Sequence, residues 1–80
     1  MRLDKYLKVS RLIKRRTVAN EACDAGRVTV NGKVARASLD VKVGDEIEIS
    51  FGLRNVKIQV TSVRETVKKE ESADLYKIIN

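Results

Sequence analysis

No histidine occurs anywhere in this 80-residue chain, and cysteine occurs once, at Cys23. The first absence removes the usual general base and the commonest metal ligand. The second excludes an internal disulfide and any multi-cysteine zinc site. A lone thiol fits a reducing compartment. No apolar run approaches the ~20 residues that span a bilayer. The N-terminus, MRLDKYLK, carries charge where a signal peptide needs its apolar stretch. Aromatics are scarce: Tyr6, Phe51 and Tyr76. Readers of single-stranded nucleic acid stack bases on aromatic platforms, and this chain has few. A soluble, cytoplasmic protein with no metal and no cofactor is expected.

What the chain holds is charge, unevenly placed. Seventeen Lys and Arg face eleven Asp and Glu, for a net +6. Ten of the cations and three of the anions fall in residues 1–36, a net +7. The remaining 44 residues hold seven cations and eight anions, a net −1. A surface built only for solubility mixes its signs. Concentration into one half is the footprint of a polyanion binder, nucleic acid before an anionic membrane or an acidic protein. With 42% apolar residues the chain has enough to form a small core, as one domain over residues 1–80.

Spacing then gives the elements. Leu3, Tyr6 and Leu7 share one helical face, with Asp4 in the first turn where the helix dipole favours it. Continued unbroken, that helix would bring Lys14 onto the apolar face, so a break is expected near Val9 and Ser10. In RLIKRRT, at ~100° per residue, Arg11, Lys14 and Arg15 cluster opposite Leu12 and Ile13, and Arg16 projects from the connection. Thr17 suits the N-cap of a second helix, whose apolar face is Val18, Ala19, Ala22 and Cys23 and whose stop is Gly26. Cys23 reads most simply as core.

Two β-rich runs flank Asn31-Gly32, the signature of a tight type I′ hairpin, in which Asn31 serves the turn. After a turn at residues 41–45, EIEISF and NVKIQV alternate as strands, with Phe51 on the core face. Val63 breaks parity and marks a bulge or the strand's end. Leu75, Ile78 and Ile79 fit a short C-terminal helix, although Lys68 and Lys69 carry the wrong sign for its start. The expected class is α+β: a helix pair packed on an antiparallel sheet, then a short C-terminal helix.

RLDKYL, the RLIKRRT turn, the Ala-bearing helix ending in Gly26, VTVNGK and VGDEI together resemble the RNA-binding domain named after small-subunit ribosomal protein S-four, over residues 1–50. Residues 51–80 would be an extension of strand and helix. The whole chain is similar to stand-alone members of that family. It is nearer to the branch that acts in ribosome-associated quality control than to the small heat-shock, ribosome-recycling branch, because KVS stands where the latter has aromatics. The resemblance implies binding, as a monomer, to large-subunit ribosomal RNA and a stranded peptidyl-tRNA. There the protein would support a tail-adding factor that extends the stalled chain. General recycling or assembly is the alternative role.

The family's RNA surface carries over onto Arg2, Lys5, Arg11, Lys14, Arg15 and Arg16, which match in type and spacing. Arg16 leads, because it sits beside a helix N-terminus whose free N–H groups also attract phosphate. Arg2 follows. Lys5 and Lys8 fit equally well as ordinary solvated charges. Lys33 and Arg36, on the hairpin, either extend the footprint or discourage edge-to-edge strand pairing.

Three other readings compete. A DNA-reading helix would carry Glu21 and Asp24 toward phosphates, which counts against DNA. An enzyme would have only Asp40 and Asp45 as a conceivable catalytic pair, and Asp45 is better explained by its Gly-Asp turn. A protein-docking adaptor would use the acidic tail and the Leu75/Ile78/Ile79 face.

Overall fold

The structure is a computed structural model describing residues 1–65 and 67–79. Helix α1 spans Leu3–Val9 and helix α2 spans Arg16–Asp24. Strands β1 (Val28–Val30), β2 (Lys33–Val34), β3 (Glu46–Phe51) and β4 (Arg54–Val60) follow. A 3₁₀ helix over Lys69–Leu75 leads into β5, Tyr76–Ile78. The sheet runs β2-β1-β3-β4-β5, every pair antiparallel.

Alternation decides which side of the sheet is dry. Val30, Ile47 and Ile58 lie in register across one face, with Val28, Ile49 and Val56 in the next row. On the opposite face Thr29, Glu48 and Lys57 form a polar row. One face packs and the other is wet, as antiparallel sheets allow. Leu3, Tyr6 and Leu7 of α1 are completely buried against the dry face, joined by Ala19 and Cys23 of α2. Each large aliphatic side chain so placed contributes about 1.5–3 kcal/mol relative to exposure.

Helix α1 is short because both its ends are tied. Leu3 and Asp4 donate their N–H groups to the carbonyls of Leu39 and Ala37, at 2.8 and 3.1 Å. These bonds satisfy donors that no turn of the helix could reach. At the other end the helix stops at Ser10, where the sequence places the break. Arg11 then takes a left-handed φ of 63°. The Asn31-Gly32 turn has φ of 54° and 84°, both positive as a type I′ turn requires. Asn31 also fastens the hairpin to β3. Its Oδ1 accepts from the Glu46 N–H at 3.0 Å, and its Nδ2 donates to Asp45 at 3.2 Å.

Four local expectations are corrected. Helix α2 begins at Arg16 rather than after Thr17. Arg15 takes the N-cap position without a side-chain bond, and Thr17 sits exposed in the first turn. The earlier start makes Arg16 a helical residue facing α1. Val18 is 46% exposed, so the apolar face of α2 is narrower than its composition suggests. Phe51 is 42% exposed, at the last position of β3 beside the turn into β4. At the C-terminus the helical segment ends at Leu75, and Tyr76 and Ile78 pair as a strand with Val60 and Ile58. The free edge of β4 offers hydrogen bonds that a helix there would leave unmade. Leu75 alone of the three expected apolar residues is buried.

The tail is locked to the helices from beneath. The buried Tyr6 hydroxyl donates to the Leu75 carbonyl at 2.6 Å. Burial, with Tyr76 nearby, pushes the Tyr6 phenol far above its ordinary range. Burial also raises the Cys23 thiol to about 11, with Asp4 and Asp24 adding to the effect. That thiol stays protonated and inert at neutral pH, as a core residue should.

Candidate nucleic-acid interface

Seven of the ten basic residues of the first 36 positions line two grooves, with a buried carboxylate between them. Lys5, Lys8, Arg11, Lys14 and Arg16 line a groove of about 490 Å³ formed by α1, the 10–15 connection and the segment near Glu65. Arg2 and Arg36 line a second groove, of about 540 Å³, beside Asn20 and Val34. Among the described residues, Arg15, Arg27 and Lys33 line neither groove. Arg15 is exposed at the start of α2, and Lys33 lies on the two-residue edge strand β2.

Asp4 joins the two grooves. Its side chain is only 3% exposed. It accepts Nε and Nη2 of Arg2 at 3.2 and 3.3 Å. It also accepts Nη2 of Arg16 at 3.4 Å, Nδ2 of Asn20 at 3.3 Å and the Lys5 N–H at 2.8 Å. The Arg2 and Arg16 side chains remain about half exposed, at 51% and 47%. Burial alone would raise the Asp4 carboxyl, but the bonds from Arg2, Asn20, Arg16 and the Lys5 N–H outweigh it and hold the group below its ordinary value. The consequence is geometric. Two guanidinium groups from different elements are fixed side by side with their remaining donors toward solvent, ready for a bidentate grip on phosphate.

Sequence reading placed Asp4 as a helix-dipole partner and missed this role. Its partners stand 12 and 16 positions away in α2, beyond the i+4 reach of a helical wheel. One signal was available: a lone carboxylate inside the most basic part of the chain.

Lys5 is partly engaged, forming an ion pair with Glu65. Lys8 and Lys14 are exposed. Arg11 holds a position that favours glycine. Arg11→Gly is therefore expected to raise stability by about 0.5–1 kcal/mol in urea denaturation. The same change should weaken polyanion binding, because it removes one of five cations from the groove. A variant that gains neither stability nor loses affinity would show that Arg11 is indifferent to both.

Of the two aspartates with conceivable chemistry, Asp40 accepts the Met1 ammonium at 2.6 Å and Asp45 accepts the Lys42 N–H at 2.9 Å. Both serve chain geometry. The hydrogen bond and charge of that ammonium hold the Asp40 carboxyl below its usual range. Among the described residues no three His, Cys, Asp or Glu side chains come together as metal ligands, and no helix is long and apolar enough to cross a membrane.

A basic helix pair backed by an NG hairpin and a five-stranded antiparallel sheet is the arrangement of an S4 domain, and the S4 domain family model matches residues 1–47. The RQC P-site tRNA stabilizing factor of Halalkalibacterium halodurans is 60% identical over 78 residues, covering 98% of this chain and 89% of that protein. The factor of the same name from Bacillus subtilis is 57% identical over 79 residues, covering 99% and 92%. Heat Shock Protein 15 of Vibrio cholerae, solved as a trimer, superposes with a TM-score of 0.92 at 29% identity, covering 99% of this chain and 81% of that one. The chain belongs to the RQC P-site tRNA stabilizing factor family of S4-domain proteins.

Proposed function

We propose that the protein binds large-subunit ribosomal RNA together with a stranded peptidyl-tRNA in ribosome-associated quality control, steadying the tRNA while a tail-adding factor extends the stalled chain. The observation that carries this reading is the pair Arg2 and Arg16 locked across buried Asp4 beside a five-cation groove. The name shared by the curated relatives supports the tRNA and the quality-control setting. Lys33 and Arg36 extend the footprint along the hairpin, and Arg15 adds charge at the start of α2. The residue 1–50 unit supplies the RNA contacts, and residues 51–80 brace it.

The protein works by binding rather than catalysis, in the cytoplasm, as a ribosome-associated monomer. Both candidate catalytic carboxylates are committed to the chain's own groups. The polar row Thr29, Glu48 and Lys57 leaves the open sheet face poorly suited to self-association. Duplex DNA is disfavoured: in α2 Asn20 turns inward to Asp4, and Glu21 and Asp24 face solvent.

Co-sedimentation with purified large subunits, with and without peptidyl-tRNA, tests the proposal, and filter binding to duplex DNA supplies the contrast. Five or so phosphate contacts predict a log–log salt slope of about −4, a loss of roughly 10²–10³ in affinity between 50 and 200 mM salt. A flat salt response would remove the electrostatic basis of the reading.

A further inference from the structure

Lys14 lines two cavities. One is the basic groove described above. The other, of about 440 Å³, is walled by Leu12, Val18, Ala22 and Phe51, with Lys14 and Arg27 among its lining residues. Its apolar lining joins two buried core residues, Ile13 and Ile49, to two side chains the core leaves open. Phe51 is 42% exposed and Val18 46%. Leu53, two residues further along the same hairpin tip, is fully exposed. A small domain that needs its apolar area for stability does not leave a phenylalanine and a leucine open at one tip without a use for them.

We propose that this groove receives one unpaired nucleobase of the bound RNA, stacked on Phe51, with the flanking phosphates on Lys14 and Arg27. The inference rests on the RNA-binding reading above and specifies the kind of RNA it requires. Three observations favour a base over an apolar protein segment. The groove carries cations, which suit a phosphate-bearing ligand and not a hydrophobic helix. It continues from the polyanion groove through a shared lysine, so a backbone held in one passes the mouth of the other. It offers one aromatic ring, the unit that unstacked RNA bases use. Phe51 is the only phenylalanine of the chain. One base is therefore taken, not a run, and the target is a helix interrupted by a bulge or loop rather than a continuous duplex.

The chain contains no tryptophan, so Phe51→Trp installs a single tryptophan, excited selectively over Tyr6 and Tyr76, that keeps an aromatic at the site. The probes are an RNA hairpin with one unpaired purine and the same hairpin fully paired. Wild-type co-sedimentation with large subunits runs alongside. The expected result is quenching of Phe51→Trp emission by the bulged hairpin and not by the paired one. Phe51→Ala, checked for fold by circular dichroism, should lose about tenfold for the bulged hairpin and nothing for the paired one, the size of one base–aromatic stack. Should Phe51→Ala fail to fold, the quenching decides.

Absent quenching with equal binding of both hairpins overturns the base site. Retained subunit binding would then leave the RNA function standing. Unchanged RNA binding by Phe51→Ala, with loss of subunit association only when a protein factor is present, also overturns it and assigns the tip to a protein contact. Failure of the wild type to bind subunits or either RNA would remove both readings at once.

Discussion

Arg16→Ala should lower affinity for large ribosomal subunits by about 30- to 100-fold while leaving the fold in place. The expectation follows from where Arg16 stands. It is the first residue of α2, it lines the basic groove, and two of its nitrogens are committed to Asp4 at 3.4 Å. The rest of the guanidinium is free, since the side chain is 47% exposed. A charged hydrogen bond contributes about 1.5–3 kcal/mol, and a bidentate phosphate grip lies at the upper end. The stability cost should stay under about 1 kcal/mol, because the pair is half exposed and Asp4 keeps Arg2, Asn20 and the Lys5 N–H. Arg16→Lys should recover only part of the loss, since it restores the charge and not the fork. Lys8→Ala, at an exposed position of α1, should cost no more than about threefold. Sedimentation of Arg16→Ala indistinguishable from wild type would refute the assignment.

Asp4→Asn tests the opposite intuition. Counting charge alone, removing an anion from a polyanion-binding face should tighten binding. The expected result is weaker binding, by at least as much as for Arg16→Ala, because Asp4 orients both Arg2 and Arg16. Asparagine presents an NH₂ group toward guanidinium donors and accepts through one oxygen, so both Arg2 and Arg16 lose their fixed orientation. The stability loss should be about 2 kcal/mol at neutral pH, a fall of roughly 10 °C in melting temperature. This is less than for a fully buried pair, because the two arginines can turn to water.

The pH dependence has a definite sign. The folded Asp4 carboxyl titrates below its ordinary value of 3.8. Its stabilisation is therefore complete above that value and is lost as pH falls through it toward the lower folded value. The stability gap between wild type and Asp4→Asn should be constant near neutrality and narrow in acid. Urea denaturation at pH 7 and pH 3 measures it. Tighter RNA binding by Asp4→Asn, or a gap that widens in acid, would contradict the geometry.

Features governed by local chemistry were readable from the sequence. The Asn31-Gly32 turn follows from tolerance of positive φ, the end of α1 at Ser10 from a phase conflict, and the Gly26 stop from glycine's ease with the left-handed backbone it adopts, at a φ of 74°. The helix pair over an antiparallel sheet follows from periodicity, and the basic residues of the 11–16 run are legible as composition. Features that depend on what lies across the fold were not. Alternation assigns Phe51 to the core side, but it cannot reveal that the packed helices leave its ring partly open. Leu75, Ile78 and Ile79 satisfy helical spacing, and only the open edge of β4 selects a strand for Tyr76–Ile78. Asp4 is a hub through residues of α2, so its role emerges only once the two helices are packed.

The hydroxyl of Tyr6 has a further implication, for the order in which the polypeptide is made. Its acceptor is a carbonyl 69 positions downstream. A ribosome that has released residues 1–60 has finished the helix pair, the hairpin and β4, yet the phenol beneath them still lacks its partner and the outer edge of β4 is unpaired. A product truncated before Leu75 would carry every arginine of the proposed RNA face on a frame that is not closed, and would be open to proteolysis before it could compete for a binding site. Vectorial synthesis thus sets a checkpoint: the domain closes only when the last strand arrives.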